Sequence, residues 1–506
     1  MTETSLRSYD PRTGQAFGAS IPVTPEDEGD RIVLRAAAAG EGWAAAPHTE
    51  RGRALRAIAD AIDADTQTLV GVADAETALG VPRLSGEVAR TTGQLRMFAD
   101  FVSQHRHLDM IIDEGEPGSA RPDVRRMLIP IGPVAVYAAS NFPFAFSTLG
   151  GDTASALAAG CPVVVKAHEA HPATTAATLA VARAALRDAG FDPDVLNAVY
   201  GFESGKQLIQ HAAVKAAGFT GSLAGGRALF NLATQRPAPI PFFGEFGSVN
   251  PVIVLPGAAA DNAAGIADGY AQSLTLGTGQ FCTNPGLMFI PEGGALISEI
   301  ERAISASAGG PMLTDRMRQA YGSNMHDRER EGVYTVATGT AQAGAWSVTP
   351  RVWTASLQDF AAGHERLASE VFGPAGLIVG YPDVDALHAV LSGGVLEGTG
   401  VLEGSLTATI HAVEADYPAA ARLLPLLRAR AGRLIFNGWP TGVAVVWAMH
   451  HGGPWPATNS AAHTSVGVRA IDRWLVPVAF QNWPEDLLPA ELRRGNPLEV
   501  PRISQS

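Results

Sequence analysis

The chain has 506 residues, 46% hydrophobic and 17% charged, and its 37 Lys and Arg against 50 Asp and Glu give a formal net charge of −13. That balance is too apolar for a disordered chain and lacks the basic surplus a nucleic-acid partner requires. Two cysteines, Cys161 and Cys282, exclude a disulfide framework and fit a reducing, cytoplasmic compartment; neither has a companion at metal-ligand spacing.

The lead is short and polar and does not read as a signal peptide. Residues 30–64 carry Val33, Leu34, Leu55, Ile58 and Ile62 at helical spacing, with breaks expected at Gly40-Glu41-Gly42 and Gly80-Val81-Pro82. A loop over residues 113–118 closes the helical part. Residues 127–151 carry no charge and are long enough to span a bilayer, but Pro130, Pro133 and Pro143 make them a buried strand running into a loop. No membrane partner is expected.

From residue 125 the texture alternates. Strands are expected over 134–137, 161–165, 195–200 and 216–220, and helices over 147–159, 174–189 and from about residue 227. Apolar strands separated by helices predict a doubly wound parallel sheet, which binds ligands at the carboxyl ends of its strands. A second β/α block spans 246–435, beginning with a strand over 250–255. Residues 437–468 contain no Asp, Glu, Lys or Arg and read as irregular loop, and residues 474–481 read as an edge strand.

Several near-motifs carry no chemistry. No G-x-G-x-x-G stands at a strand-to-helix turn, residues 201–206 are one residue short of a phosphate loop, and His168-Glu169-Ala170-His171 is one short of a zinc-protease helix. His450-His451 has no acidic or Cys neighbour in the sequence, so no metal is expected.

Four segments fit one chemistry. Cys282 follows Gly277-Thr278-Gly279-Gln280-Phe281, whose glycines leave room around a thiol that could serve as nucleophile. Glu245, between Gly244 and Phe246-Gly247, reads equally as a surface cap or as a general base raised by desolvation. Asn141, in Ser140-Asn141-Phe142-Pro143, reads as an oxyanion donor or a turn residue. Lys166 and Glu169 after one strand, and Phe219-Thr220-Gly221-Ser222 at a helix entrance, could cradle a nucleotide or be plain connections.

Together with Gly244-Glu245-Phe246-Gly247, Gly279-Gln280-Phe281-Cys282 and Glu370-Val371-Phe372-Gly373-Pro374, these segments resemble the aldehyde dehydrogenase superfamily over residues 9–477. The segments Pro239-Ile240-Pro241-Phe242-Phe243, Phe436-Asn437-Gly438-Trp439-Pro440 and His451-Gly452-Gly453-Pro454-Trp455 are most similar to its 2-oxoglutarate semialdehyde (2,5-dioxopentanoate) dehydrogenase subgroup.

The resemblance implies an α/β fold of two doubly wound domains plus a small β oligomerisation arm. It assigns 1–120 and 133–244 to cofactor binding, 245–435 to catalysis, 436–474 to an active-site loop, and 121–132 with 475–506 to the arm. It implies Cys282 as nucleophile, Glu245 as base, Asn141 as oxyanion donor, and Lys166, Glu169, Gly221, Ser222, Glu370 and Phe372 around NAD or NADP. The substrate implied is a small-molecule aldehyde, a semialdehyde or a medium- to long-chain one, and the assembly a homodimer or homotetramer. CoA-acylating and catalytically silent members are the less favoured alternatives, because Glu245 is a water-activating carboxylate that thiolysis does not need. Phe281 with Phe142, Phe144, Trp439 and Trp447 lines an apolar tunnel or belongs to the core, and Arg125, Arg126 and Arg433 are candidates for a substrate carboxylate.

Overall fold

The computed structural model describes residues 4–115, 120–329, 333–393 and 400–505; the end of the loop expected over 113–118 lies outside them. The polar lead forms an antiparallel hairpin, Ser5–Asp10 with Gln15–Pro22. Helix Glu26–Ala45 runs straight through Gly40 and Gly42, contrary to the expected break. The chain turns instead at Ala46-Pro47, because the residue before a proline is driven to extended backbone, and Ala46 has ψ 139°. Gly40 serves packing: a Cβ there would lie 2.6 Å from Pro162. Gly80, at φ +88°, does separate helices Thr66–Thr77 and Val81–Ser103.

The helical layer buries Leu55, Ile58, Ile62, Leu95, Phe98 and Val102 against a five-stranded sheet. Its strands lie in the order Leu196–Val199, Val163–Lys166, Val134–Tyr137, Ala216–Thr220, Phe242–Glu245, all parallel. Chain order reverses on either side of Val134–Tyr137, which makes its carboxyl end the switch point where open α/β sheets bind ligands. Helix Gly151–Ala159 starts later than expected because residues 147–150 form a tight turn; a Cβ on Gly150 would meet the Ala145 carbonyl oxygen at 2.5 Å. Helix Leu223–Thr234 starts earlier, capped by the Ser222 hydroxyl, which accepts from the Gly225 N–H.

A seven-stranded sheet follows in the order Tyr334–Thr338, Arg351–Ser356, Ala375–Tyr381, Leu287–Pro291, Val252–Val254, Ser405–His411, Ala431–Phe436. Only the first pair is antiparallel. Apolar clusters cover both of its faces, around Phe289, Trp353 and Phe360 on one and Tyr270, Ile300 and Ile378 on the other. A small sheet joins Leu475–Gln481, Val124–Pro130, Met110–Asp113 and Arg502–Gln505, with Leu475–Gln481 on its edge. The charge-free stretch 127–151 is thus strand and turn, and among the described residues no helix is long and apolar enough to cross a membrane.

One buried carboxylate ties three elements together. Glu76 accepts from the N–H groups of Ala173 and Thr174 at 2.9 and 2.7 Å, from the Thr174 hydroxyl, and from Ser8 of the hairpin. It thereby caps helix Pro172–Asp188 and neutralises the positive end of its dipole. Glu76→Ala strands these donors in the interior and is expected to destabilise the fold by about 2–3 kcal/mol, read from denaturant unfolding. A loss within experimental error would contradict this role.

Candidate active site

Four strands of the five-stranded sheet deliver a functional residue at the carboxyl end. Asn141 follows Val134–Tyr137, Lys166 ends Val163–Lys166, Gly221 and Ser222 follow Ala216–Thr220, and Glu245 ends Phe242–Glu245. Residues 437–467, which form neither helix nor strand, fold back over this edge. The Phe246 N–H donates to the Ala457 carbonyl at 2.8 Å and Asn459 Oδ1 accepts from the Gly244 N–H at 2.6 Å. His451 is fixed in that loop by the Thr464 hydroxyl, which accepts from its N–H at 2.8 Å.

The cysteine comes from the other sheet. Gly277, Thr278 and Gly279 take left-handed backbone in succession, with φ of +56°, +59° and +65°. A Cβ on Gly279 would lie 2.2 Å from the Gly373 carbonyl carbon, so glycine lets the cysteine loop meet the Glu370 segment. Asn250 clamps the far side: its Nδ2 donates to the carbonyls of Cys282 and Asn284 at 2.8 and 2.9 Å. Its Oδ1 accepts from the Thr407 hydroxyl at 2.9 Å.

These loops bring three reactive groups together. Cys282 Sγ lies 3.6 Å from His451 Nε2, which lies 3.0 Å from Glu245 Oε1, and the Ser465 hydroxyl donates to the other oxygen of Glu245. Two acceptors at 3.0 Å repel, so a proton sits between Nε2 and Glu245. Cys282 is partly exposed, whereas Cys161 is fully buried in a strand approach. The donor atoms of Glu245, Cys282 and His451 all fall within 4.8 Å of one another, a grouping also able to hold a soft divalent cation.

Burial pushes the Cys282 thiol up, the charges of Glu245 and Glu370 add to this, and Arg90 opposes it. Glu245 corrects the sequence expectation. Burial does raise its carboxyl, but His451, Ser465 and Arg473 together outweigh burial and leave it below the usual range. It is a ready proton acceptor rather than a stored acid.

Asn141 lies against the cysteine loop, its Nδ2 donating one hydrogen to the Gln280 carbonyl at 3.0 Å. Its own loop is anchored from helix Val81–Ser103. Glu87 accepts from the N–H groups of Phe144 and Ala145 at 2.8 and 3.0 Å, and Arg83 Nη2 donates to the Asn141 carbonyl at 2.6 Å.

A nucleotide fits the remaining residues. The exposed amides opening helix Leu223–Thr234 behind Gly221 and Ser222 suit a pyrophosphate. Lys166 pairs with Glu169, placing a cation and a carboxylate together beside that edge. Glu370 overlies Gly247, where a Cβ would meet its Oε2 at 2.0 Å, and burial pushes it up to about 7. Glu370 and Phe372 line one cleft with Gly279, Phe281 and Asn284; Glu245, His451, Ser465 and Thr220 line a second.

Not every proposed residue reaches the site. Phe144 is core, Trp439 packs on Tyr270 and His411, and Trp447 stacks on Phe101 and Arg106, leaving Phe142 and Phe281 with Phe146 as the aromatic cluster beside the thiol loop. Arg125 and Arg126 pair with Asp123, Glu485 and Asp109 near the small sheet; Arg433 donates to the Pro440 and Gly442 carbonyls, and its charge still reaches the Cys282 thiol. Sequence reasoning missed His451, Ser465, Asn250 and Glu87. His451 left a trace, as one of two adjacent histidines in a charge-free loop, and Ser465 lies in the segment Thr464-Ser465-Val466-Gly467 that shares in the subgroup resemblance.

The chain matches the aldehyde dehydrogenase family over residues 1–391. It is 44% identical to alpha-ketoglutaric semialdehyde dehydrogenase 2 of Azospirillum brasilense, covering 99% of this chain and 95% of the relative. It is 41% identical to the alpha-ketoglutaric semialdehyde dehydrogenase of Acinetobacter baylyi, covering 94% and 90%. Its fold is similar to that of PnpE from Pseudomonas sp. WBC-3, with TM-score 0.78, 23% identity and 94% of each chain covered; PnpE is also solved in complex with nicotinamide adenine dinucleotide.

Because the Cys282 thiol is held up, its thiolate fraction falls tenfold for each pH unit below its pKa. Alkylation of Cys282 by iodoacetamide in the ligand-free protein is therefore expected to keep accelerating through pH 9. Levelling off near pH 7, followed by mass spectrometry of the labelled peptide, would contradict the electrostatics described.

Proposed function

The chain belongs to the aldehyde dehydrogenase family, and from that premise we propose that it oxidises a semialdehyde such as 2,5-dioxopentanoate to the carboxylic acid with NAD or NADP. The observation that carries this reading is the contact line from Cys282 through His451 to Glu245. The names of the two relatives at 44% and 41% identity support the substrate, and the nucleotide held by PnpE supports the cofactor.

The thiol proton passes to Glu245, whose oxygen lies within 4.8 Å of the sulfur, and leaves for solvent before hydrolysis begins; the thiolate is then faced by Nε2–H of His451. The sulfur adds to the aldehyde carbon, and the resulting oxyanion is held by the second N–H of Asn141 and the backbone N–H of Cys282. Bound NAD or NADP supplies the hydride acceptor. Loss of hydride from the thiohemiacetal carbon leaves a thioester on Cys282. Glu245, below the ordinary carboxylate range and therefore ionised, then takes a proton from water as the water attacks the thioester carbon, and the acid departs with the thiol restored. A thiolysis route to an acyl-CoA needs no such carboxylate.

Glu169 favours a free ribose: its carboxylate would repel a 2′-phosphate, so NAD is accepted. The two free thiols support a cytoplasmic location. The edge strand Leu475–Gln481 has one side unpaired among the described residues and is suited to extend a sheet across a homodimer or homotetramer.

Cys282→Ala is expected to lower aldehyde oxidation by more than about 10³-fold while calorimetry finds nucleotide affinity unchanged. Residual turnover near the wild-type rate would overturn the assignment. Glu245→Gln is expected to stall after the first turnover and accumulate an acyl adduct on Cys282, detected by intact-protein mass spectrometry; unaltered steady-state turnover would remove its role as base.

A further inference from the structure

Two arginines of helix Val81–Ser103 face the reactive loops without the partners that buried cations require. Arg83 Cζ sits 4.7 Å from the Phe281 ring centre and 5.2 Å from that of Phe142. Arg90 Cζ sits 5.1 Å from the Phe146 ring centre and 5.8 Å from that of Phe142. The Phe146 ring in turn lies 6.2 Å from that of His451. Residues 83, 87 and 90 are spaced to share one helix face, so Glu87 lies between the two cations.

Glu87 does not neutralise them both. One of its oxygens is spent on the Phe144 and Ala145 amides, and among the described residues neither arginine forms an ion pair within 4.0 Å. Two guanidinium groups against one carboxylate leave one positive charge in excess. Arg83 is engaged through Nη2 with the Asn141 carbonyl. Arg90 is not: its Nε and Nη2 are both buried and, among the described residues, without a hydrogen-bond partner. Those two N–H groups form the side-on edge of a guanidinium, the edge that matches a carboxylate bidentately.

Burying such a fork is costly unless an anion completes it. The charged and titratable groups it faces are Glu87, Glu245 and the Cys282 thiol, so the fork is electrostatically coupled to the reaction centre. We propose that the Nε–Nη2 edge of Arg90 binds a carboxylate borne by the aldehyde substrate at the end remote from its carbonyl, with Arg83 supporting the charge and the Asn141 loop. This rests on the reading that an aldehyde reacts at Cys282, and it names the side chain that recognises the acid group of such a semialdehyde. The aromatic rings of Phe142, Phe146 and Phe281 flank the chain between the two ends.

The test compares wild type, Arg90→Met and Arg90→Lys on glutaric semialdehyde and on uncharged pentanal. Arg90→Met is expected to raise KM for glutaric semialdehyde about 10- to 100-fold and to leave KM for pentanal within a few-fold, while the loss of its charge beside the Cys282 thiol lowers kcat for both aldehydes alike. Arg90→Lys, which keeps the charge and loses the fork, should fall between the two and covers the case in which the Met variant misfolds. An equal change in KM for both aldehydes, or none for glutaric semialdehyde, would overturn the proposal. Calorimetry with glutarate separates this proposal from the functional reading. Binding lost in the Arg90 variants supports the anchor even if no aldehyde is oxidised. Oxidation of both aldehydes with glutarate binding indifferent to Arg90 retains the dehydrogenase and rejects the anchor.

Discussion

A single imidazole nitrogen, Nε2 of His451, reaches both a thiol and a buried carboxylate, and much of the surrounding structure exists to keep it there. The arrangement is electrostatically demanding. The thiol is pushed up by burial and by neighbouring carboxylates, while Glu245 is held down by His451, Ser465 and Arg473. Each group is therefore biased toward one resting form, thiol for Cys282 and carboxylate for Glu245. A proton leaving the sulfur has a carboxylate acceptor close by, and once that proton has passed to solvent the same carboxylate is available when water must be activated.

Holding such a cluster requires rigid loops from separate elements. The cysteine loop is fixed by Asn250 and by three left-handed residues, the Asn141 loop by Glu87 and Arg83, and the histidine loop by its stitching to strand Phe242–Glu245. Each side-chain clamp bonds to backbone groups, which fixes geometry without consuming the reactive atoms. Arg473, beside the Glu245 cleft, is itself paired with Asp152 at 2.7 Å in the interior, so its charge is shared with the fold.

The parallel sheets were legible because their strands are short apolar runs between helices, as in Val134–Tyr137 and Val163–Lys166, buried at every position. The opening hairpin was not, since Gln15–Pro22 is exposed on most of its length and has no apolar alternation. Gly40 and Gly42 misled for a physical reason: glycine weakens a helix by only about 1 kcal/mol, and at Gly40 close packing on Pro162 requires the small residue. In the site, glycines around Cys282 and Glu245 marked them out locally. His451 stands 169 residues from Cys282 and carries no local mark of its role, and the arginines of helix Val81–Ser103 look like ordinary helix charges until their unpaired N–H groups are seen. The direction of the Glu245 shift was illegible for the same reason, because the groups that reverse it come from distant loops.

The central claim is that proton removal from Cys282 runs through the His451–Glu245 pair. Stopped-flow measurement of the first burst of reduced nucleotide tests it most directly, in wild type and in His451→Asn at pH 7. The account predicts that the burst slows by about 10²-fold or more in the variant while thioester hydrolysis, timed from acyl-enzyme decay, changes little. A burst of wild-type rate in His451→Asn would contradict it.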